Sequence, residues 1–154
     1  MTAADVIAGL VRRHETVATC ESLTGGLVLA ELTSVPGSSV VVRGGLVTYA
    51  TDLKTSLAGV PAALIAEHGV VSRAVVEAMA EGARAACGAT WGIGLSGVAG
   101  PDAVDGLAPG TVCLGVAGPD GTISVQERFD GDRAEVRRQA VVRAFDLLSQ
   151  AWAR

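Results

Sequence analysis

Residues 19–54, TCESLTGGLVLAELTSVPGSSVVVRGGLVTYATDLK, hold the chain's one lysine, Lys54, its one tyrosine, Tyr49, and two glycine-flanked serines, Ser22 and Ser39. The other eleven of the 12 Lys and Arg residues are arginine. An arginine stays protonated at any useful pH, whereas a lysine amine can lose its proton and act as a base. Serine becomes a nucleophile only when a neighbouring base takes its proton, and a lysine kept neutral by its surroundings can do this. With a tyrosine hydroxyl as proton relay, these residue types point to metal-independent hydrolysis of an amide or ester. Backbone N–H groups beside the glycine turns are candidates for holding the oxyanion that acyl transfer creates. The chain positions leave the nucleophile open between Ser39 and Ser22; Ser39 lies nearer Tyr49 and Lys54. His14, on a predicted first helix, and His68, at a predicted helix end, are poor rivals for the base.

The elements that must position these groups follow from periodicity and punctuation. Thr2 is placed to cap a helix carrying Val6, Ile7, Leu10 and Val11. A short β-rich segment, 16–20, leads through Ser22, Thr24, Gly25 and Gly26 into a helix over 27–33, the order of an anion cradle. After the Pro36 breaker, Ser38 and Ser39 precede a β-rich run at 40–42, the glycine pair 44 and 45, and a strand over 46–50. Thr51 is the expected N-cap of a helix through Leu57, with Lys54 at its third position. There the helix dipole and partial burial would lower the lysine pKa, and Asp52 would raise it.

Pro61 opens a short helix through Glu67, and Ser72 caps an amphipathic helix stopped by Gly88. Residues 90–96 read as a buried strand, placing Ser96 and the following glycines where clefts open in α/β sheets. The 102–109 segment is expected to be a mobile loop and a lid. Two strands, 111–117 and 122–129, form a hairpin, and Asp132 caps a last helix running to Trp152. Arg133, where the dipole disfavours a cation, is a candidate for a ligand anion; Arg137 and Arg138 read as solvated. Helices alternating with strands early and a hairpin late predict a single domain over 1–154, a three-layer α/β/α architecture with a central mixed sheet.

Composition narrows the partners. The net charge is -4, with 18% charged and 49% hydrophobic residues and no Lys/Arg run. That excludes broad nucleic-acid or membrane-surface binding, which needs a concentrated positive field. Three separated cysteines in apolar surroundings read as reduced thiols. With no membrane span and no basic-then-apolar leader, a cytoplasmic protein is expected. So apolar a chain is also expected to form a homo-oligomer.

The blocks TCESLTGGL, LTSVPGSS, GGLVTYATDLK, HGVVS, SGVAGPD, GTV and FDGDR, in this order, resemble the C-terminal domain of the competence/damage-inducible CinA proteins and their stand-alone relatives, the nicotinamide-nucleotide amidohydrolases. The resemblance covers essentially the whole chain. It implies metal-free and cofactor-free hydrolysis of the carboxamide of nicotinamide mononucleotide to nicotinate mononucleotide and ammonia, in pyridine-nucleotide salvage. It implies Ser39 as nucleophile, Lys54 as base and Tyr49 as relay. Ser22, Thr24, Gly25, Gly26, Ser38 and Ser96 would line the pocket, and Arg133 would meet the nucleotide phosphate. No pyrophosphatase domain is expected ahead of the chain, leaving the deamidase activity alone. Two departures stand out: Leu23 where the family usually has cysteine, and GPDAVDGLAPGTV where it usually has GPDGG, a lysine and PVGTV. The second predicts altered substrate affinity or closure at residues 103–109. The competing expectations are a non-catalytic nucleotide-binding member and an amidase for another small carboxamide.

Overall fold

The computed structural model describes all 154 residues. Five strands form one sheet: β1 (Val17–Glu21), β2 (Val42–Val47), β3 (Trp91–Gly97), β4 (Thr111–Gly118) and β5 (Gly121–Arg128). Their spatial order is β2-β1-β3-β4-β5; β1 is parallel to β2 and β3, whereas β4 is antiparallel to both β3 and β5. The expected mixed α/β sheet is therefore present. All three parallel strands end at one edge, with Glu21 opposite both Val47 and Leu95.

Strand alternation sends successive side chains to opposite faces, so each face builds its own core. Val17, Ile93, Leu95, Val112, Leu114 and Val116 pack beneath α1 (Ala3–Arg13), α2 (Leu27–Thr33) and α6 (Arg133–Trp152). Ala18, Cys20 and Cys113 face α5 (Arg73–Cys87), with α4 (Ala62–His68) packed on that helix and α3 (Thr51–Ser56) set at the ends of β1 and β2. Helix α5 lies close to the sheet because the strand positions beneath it are glycines. A methyl at Gly92 or Gly94 would overlap the Ala80 or Val76 carbonyl, and one at Gly115 would come within 2.7 Å of the Val76 carbonyl.

The caps follow the sequence: Thr2 and Asp5 form a reciprocal capping box, and Ser72 and Asp132 accept from the third residue of their helices. Three segments differ from expectation. Gly44 and Gly45 lie within β2 rather than before it, because Gly45 packs against Thr19, where a methyl would strike the Thr19 hydroxyl. Helix α3 begins at Thr51 itself, after Ala50 and without a side-chain cap, so Lys54 is its fourth residue. Residues 104–107 form a tight hairpin, with Val104 and Leu107 exchanging hydrogen bonds at 3.1 and 2.9 Å across Asp105 and Gly106, both at positive φ. The expected plain loop thus carries structure of its own.

Candidate active site

Ser22 directly follows β1, its N–H bonded to the Leu95 carbonyl at 3.0 Å, while Thr48 directly follows β2, its N–H bonded to the Glu21 carbonyl at 2.9 Å. The sheet therefore sets both residues side by side at the C-terminal edge of its parallel strands. Lys54 reaches back from α3 to meet them. Its Nζ donates to the Thr48 carbonyl at 2.6 Å and to Ser22 Oγ at 3.1 Å.

Lys54 is among the largest fully buried side chains of the protein, at 1% exposure, more deeply placed than the partial burial expected. Burial holds its ammonium pKa below the usual lysine value, and a charged Cys20 sulfur nearby would oppose the shift. Burial in turn raises the Cys20 thiol pKa, opposed by a contact with the Thr48 hydroxyl at 3.4 Å. Desolvation is thus the main cause of the lysine's shift. A neutral amine held 3.1 Å from a serine oxygen is a base within reach of its proton.

A cleft of about 340 Å³ opens beside Ser22, lined by that serine, Leu23, Tyr49, Val104, Arg133 and residues 97–102. Its size lies within the range of roughly 300–1,000 Å³ usual for small-molecule sites. Tyr49 is exposed and its hydroxyl accepts from Arg133 Nη2 at 3.2 Å, while Arg133 Nη1 donates to the Gly100 carbonyl at 2.9 Å. Tyr49 therefore belongs to the wall beside Arg133; no hydrogen bond joins it to Lys54 or Ser22. Arg133, unfavourably placed for its helix dipole, has partners at the mouth of the cleft instead.

The structure does not bring Ser39 to the lysine. It lies exposed in a 3-10 turn, Ser38–Val40, before β2, whereas Thr48 and Tyr49 follow β2. The six residues of that strand, at about 3.3 Å each, separate the two ends. Proximity in sequence failed because the intervening segment is fully extended. Ser38 is buried and donates to the Thr33 carbonyl, away from the cleft. Ser96 is also turned aside: strand alternation points it toward α5, where its hydroxyl donates to the Val70 carbonyl at 2.8 Å.

The expected anion cradle at α2 is occupied from within. Glu21, fully buried, accepts from the N–H groups of Gly26 and Val28 through Oε2 and of Leu29 through Oε1. Those donors are unavailable to a substrate phosphate. Gly25 and Gly26 adopt positive φ to turn the chain into α2, and neither they nor Thr24 line the cleft.

Sequence reasoning missed two residues. Glu21 stood next to Ser22, and a carboxylate preceding a glycine turn and helix start was its signal. Arg137 is half-buried rather than solvated, donating through Nε to the Leu23 carbonyl at 2.9 Å and through Nη2 to the Thr24 carbonyl at 3.2 Å. Its position four residues after Arg133, on the same helix face, was the available clue. Arg138 is exposed and pairs with Glu135.

A family model described as the CinA C-terminal domain matches residues 1–152. A CinA-like protein of Anaeromyxobacter dehalogenans is 52% identical over 147 residues, covering 95% of this chain and 36% of the relative. A putative competence-damage inducible protein of Streptococcus agalactiae is 42% identical over 140 residues, covering 90% of this chain and 33% of its own. The chain spans about a third of the length of these curated relatives. Among solved structures, the competence damage-inducible protein A of Klebsiella pneumoniae superposes with a TM-score of 0.95 at 33% identity, over 99% of this chain and 95% of that one. A competence-damaged protein (CinA) superfamily member from Escherichia coli gives 0.94 at 25% identity, over 97% and 87% of the two chains.

Proposed function

This chain belongs to the CinA C-terminal domain family, and we propose that it hydrolyses the carboxamide of nicotinamide mononucleotide to nicotinate mononucleotide and ammonia, with Ser22 as nucleophile. The observation that carries this reading is the buried Lys54 amine 3.1 Å from the Oγ of Ser22, a serine that lines the cleft.

Neutral Lys54 takes the Ser22 proton as Oγ bonds to the carboxamide carbon, and the carbonyl π electrons move onto oxygen. The oxyanion then re-forms the carbonyl as the C–N bond breaks with its electron pair on nitrogen, and the Lys54 ammonium protonates that NH2 group, which leaves as ammonia. Water attacks the Ser22 ester with Lys54 again as base, and the proton returns to Ser22 Oγ as the acid leaves. The Thr48 carbonyl holds the amine at 2.6 Å and keeps it aimed at the serine. Tyr49 and Arg133 form the opposite wall, where the tyrosine ring orients the substrate and the free N–H groups of Arg133 meet its phosphate.

Ammonia release from nicotinamide mononucleotide, measured in the presence of a chelator, tests the reading. Turnover that is lost in Ser22→Ala and kept in Ser39→Ala is expected; turnover lost only in Ser39→Ala would overturn the assignment. A second reading, an amidase for another small carboxamide, is favoured by the 104–107 hairpin, which sets apolar Val104 in the cleft lining. A panel of amides separates the two. A folded wild type that binds the nucleotide without releasing ammonia would instead make this a binding protein.

No helix of the structure is long and apolar enough to cross a membrane. Self-association is part of the proposal and is supported by the exposed apolar side chains of Val40, Val47 and Leu57. Light scattering of the purified chain gives the mass that checks it.

A further inference from the structure

The turn 22–26 leaves two backbone donors unused. Its Ser22 N–H goes to Leu95, that of Gly25 to the Ser22 carbonyl, that of Gly26 to Glu21, and that of Leu27 to the Thr24 carbonyl. The amides of Leu23 and Thr24, the two residues after the serine, donate to no group of the chain, although both residues are buried. Buried amides are nearly always paired, so the Leu23 orphan, in the cleft lining beside a candidate nucleophile, marks a place built for an acceptor. The Thr24 hydroxyl, also buried, has no partner either.

What fixes these donors lies on α6. In a trans peptide the C=O and the following N–H point opposite ways. Arg137 draws the Leu23 carbonyl toward α6 at 2.9 Å, which turns the Thr24 N–H away from that helix. Its second contact, to the Thr24 carbonyl at 3.2 Å, prevents the next plane from rotating. On the far side of the turn, Glu21 anchors the amides of Gly26, Val28 and Leu29. One cation holds carbonyls and one carboxylate holds N–H groups, and the unclaimed amides remain between them. Four residues earlier on α6, Arg133 grips Tyr49 and Gly100, so one helix face ties together all three loops around the cleft.

We propose that the Leu23 N–H, in the cleft lining beside Ser22, is the oxyanion-holding donor, and that Arg137 is a positioning residue, which by clamping the Leu23 and Thr24 carbonyls holds the turn that presents it. This rests on reading Ser22 as the acyl acceptor. Arg137 touches no reacting atom and is not a catalytic residue.

The test compares wild type, Arg137→Ala, Arg137→Lys and Arg143→Ala, the last a control because Arg143 pairs with Glu127. Displacing the oxyanion donor predicts a fall in kcat of up to about 10²–10³ in Arg137→Ala, with KM for nicotinamide mononucleotide changed by less than about threefold. Arg137→Lys, which offers a point charge instead of a planar fork, is expected to fall between Arg137→Ala and wild type. Dilute guanidinium is expected to restore part of the kcat of Arg137→Ala and none of that of Ser22→Ala. Phosphonylation of Ser22 by a fluorophosphonate, which also places charge on an oxygen in this hole, is expected to slow at least about tenfold in Arg137→Ala. Should Arg137→Ala fail to fold, Arg137→Lys carries the same readings. A kcat loss no greater than that of Arg143→Ala, or an unchanged phosphonylation rate, overturns the proposal and leaves Ser22 standing. No labelling of Ser22 in a folded wild type overturns both.

Discussion

Replacing Lys54 by methionine separates what the lysine does for chemistry from what it does for the fold. Methionine keeps an unbranched apolar stem in a site where the side chain is 1% exposed, so little cavity opens. It removes two hydrogen bonds, to Thr48 and Ser22, and leaving the Thr48 carbonyl unpaired costs about 1–3 kcal/mol. Against this, the substitution removes the penalty of keeping a desolvated ammonium, about 1.4 kcal/mol for each unit by which burial lowers the pKa. The two effects oppose each other, so the stability of Lys54→Met at pH 7 is expected within about 2 kcal/mol of wild type. At roughly 2–4 °C per kcal/mol for a chain of this size, Tm moves by less than about 8 °C. Turnover, by contrast, loses its only base and falls by about 10²–10⁴ in kcat. Ammonia release and thermal unfolding on the same preparations give both numbers. Retention of kcat within about tenfold of wild type in a folded Lys54→Met would refute the assigned role.

The same lysine imposes a pH signature on stability. Because its folded pKa lies below its unfolded value of 10.5, the unfolded chain binds more protons between those two values. Stability therefore rises with pH across that window, and this increment is absent in Lys54→Met; denaturant titrations from neutral to alkaline pH check it. Wild-type kcat/KM is expected to rise with pH along a limb whose midpoint lies below 10.5, while Lys54→Arg stays inactive throughout. Gly94→Ala would push α5 off the sheet, since its methyl meets the Val76 carbonyl and lies 2.8 Å from the Ala80 nitrogen, and a loss of roughly 1–3 kcal/mol in denaturant unfolding is expected. Alkylation at pH 8 followed by mass spectrometry is expected to modify half-buried Cys87 well before Cys20 and Cys113, both buried and with raised thiol pKa values, that of Cys113 to about 11.

The sequence by itself determined the architecture and the chemical vocabulary. Capping signals at Thr2, Ser72 and Asp132 placed three helices, the Gly118–Gly121 turn set the hairpin, and alternation of early strands with helices implied the mixed sheet. The lone lysine among arginines marked a candidate base, because residue choice there has a chemical reason that needs no fold. Which serine faces that lysine was beyond the sequence. Chain separation favours Ser39 over Ser22, yet an extended strand carries its two ends apart while parallel pairing brings the ends of β1 and β2 together. For the same reason the turn over 22–26 looked like a phosphate cradle until the fold buried Glu21 against it and filled its amides. Arg137 looked solvated because no local pattern shows that the first turns of α6, more than a hundred residues away in the chain, lie over that turn. Local interactions write helices, caps and turns into the sequence; the partner of a nucleophile is set by which strands pair, and only the tertiary structure holds that.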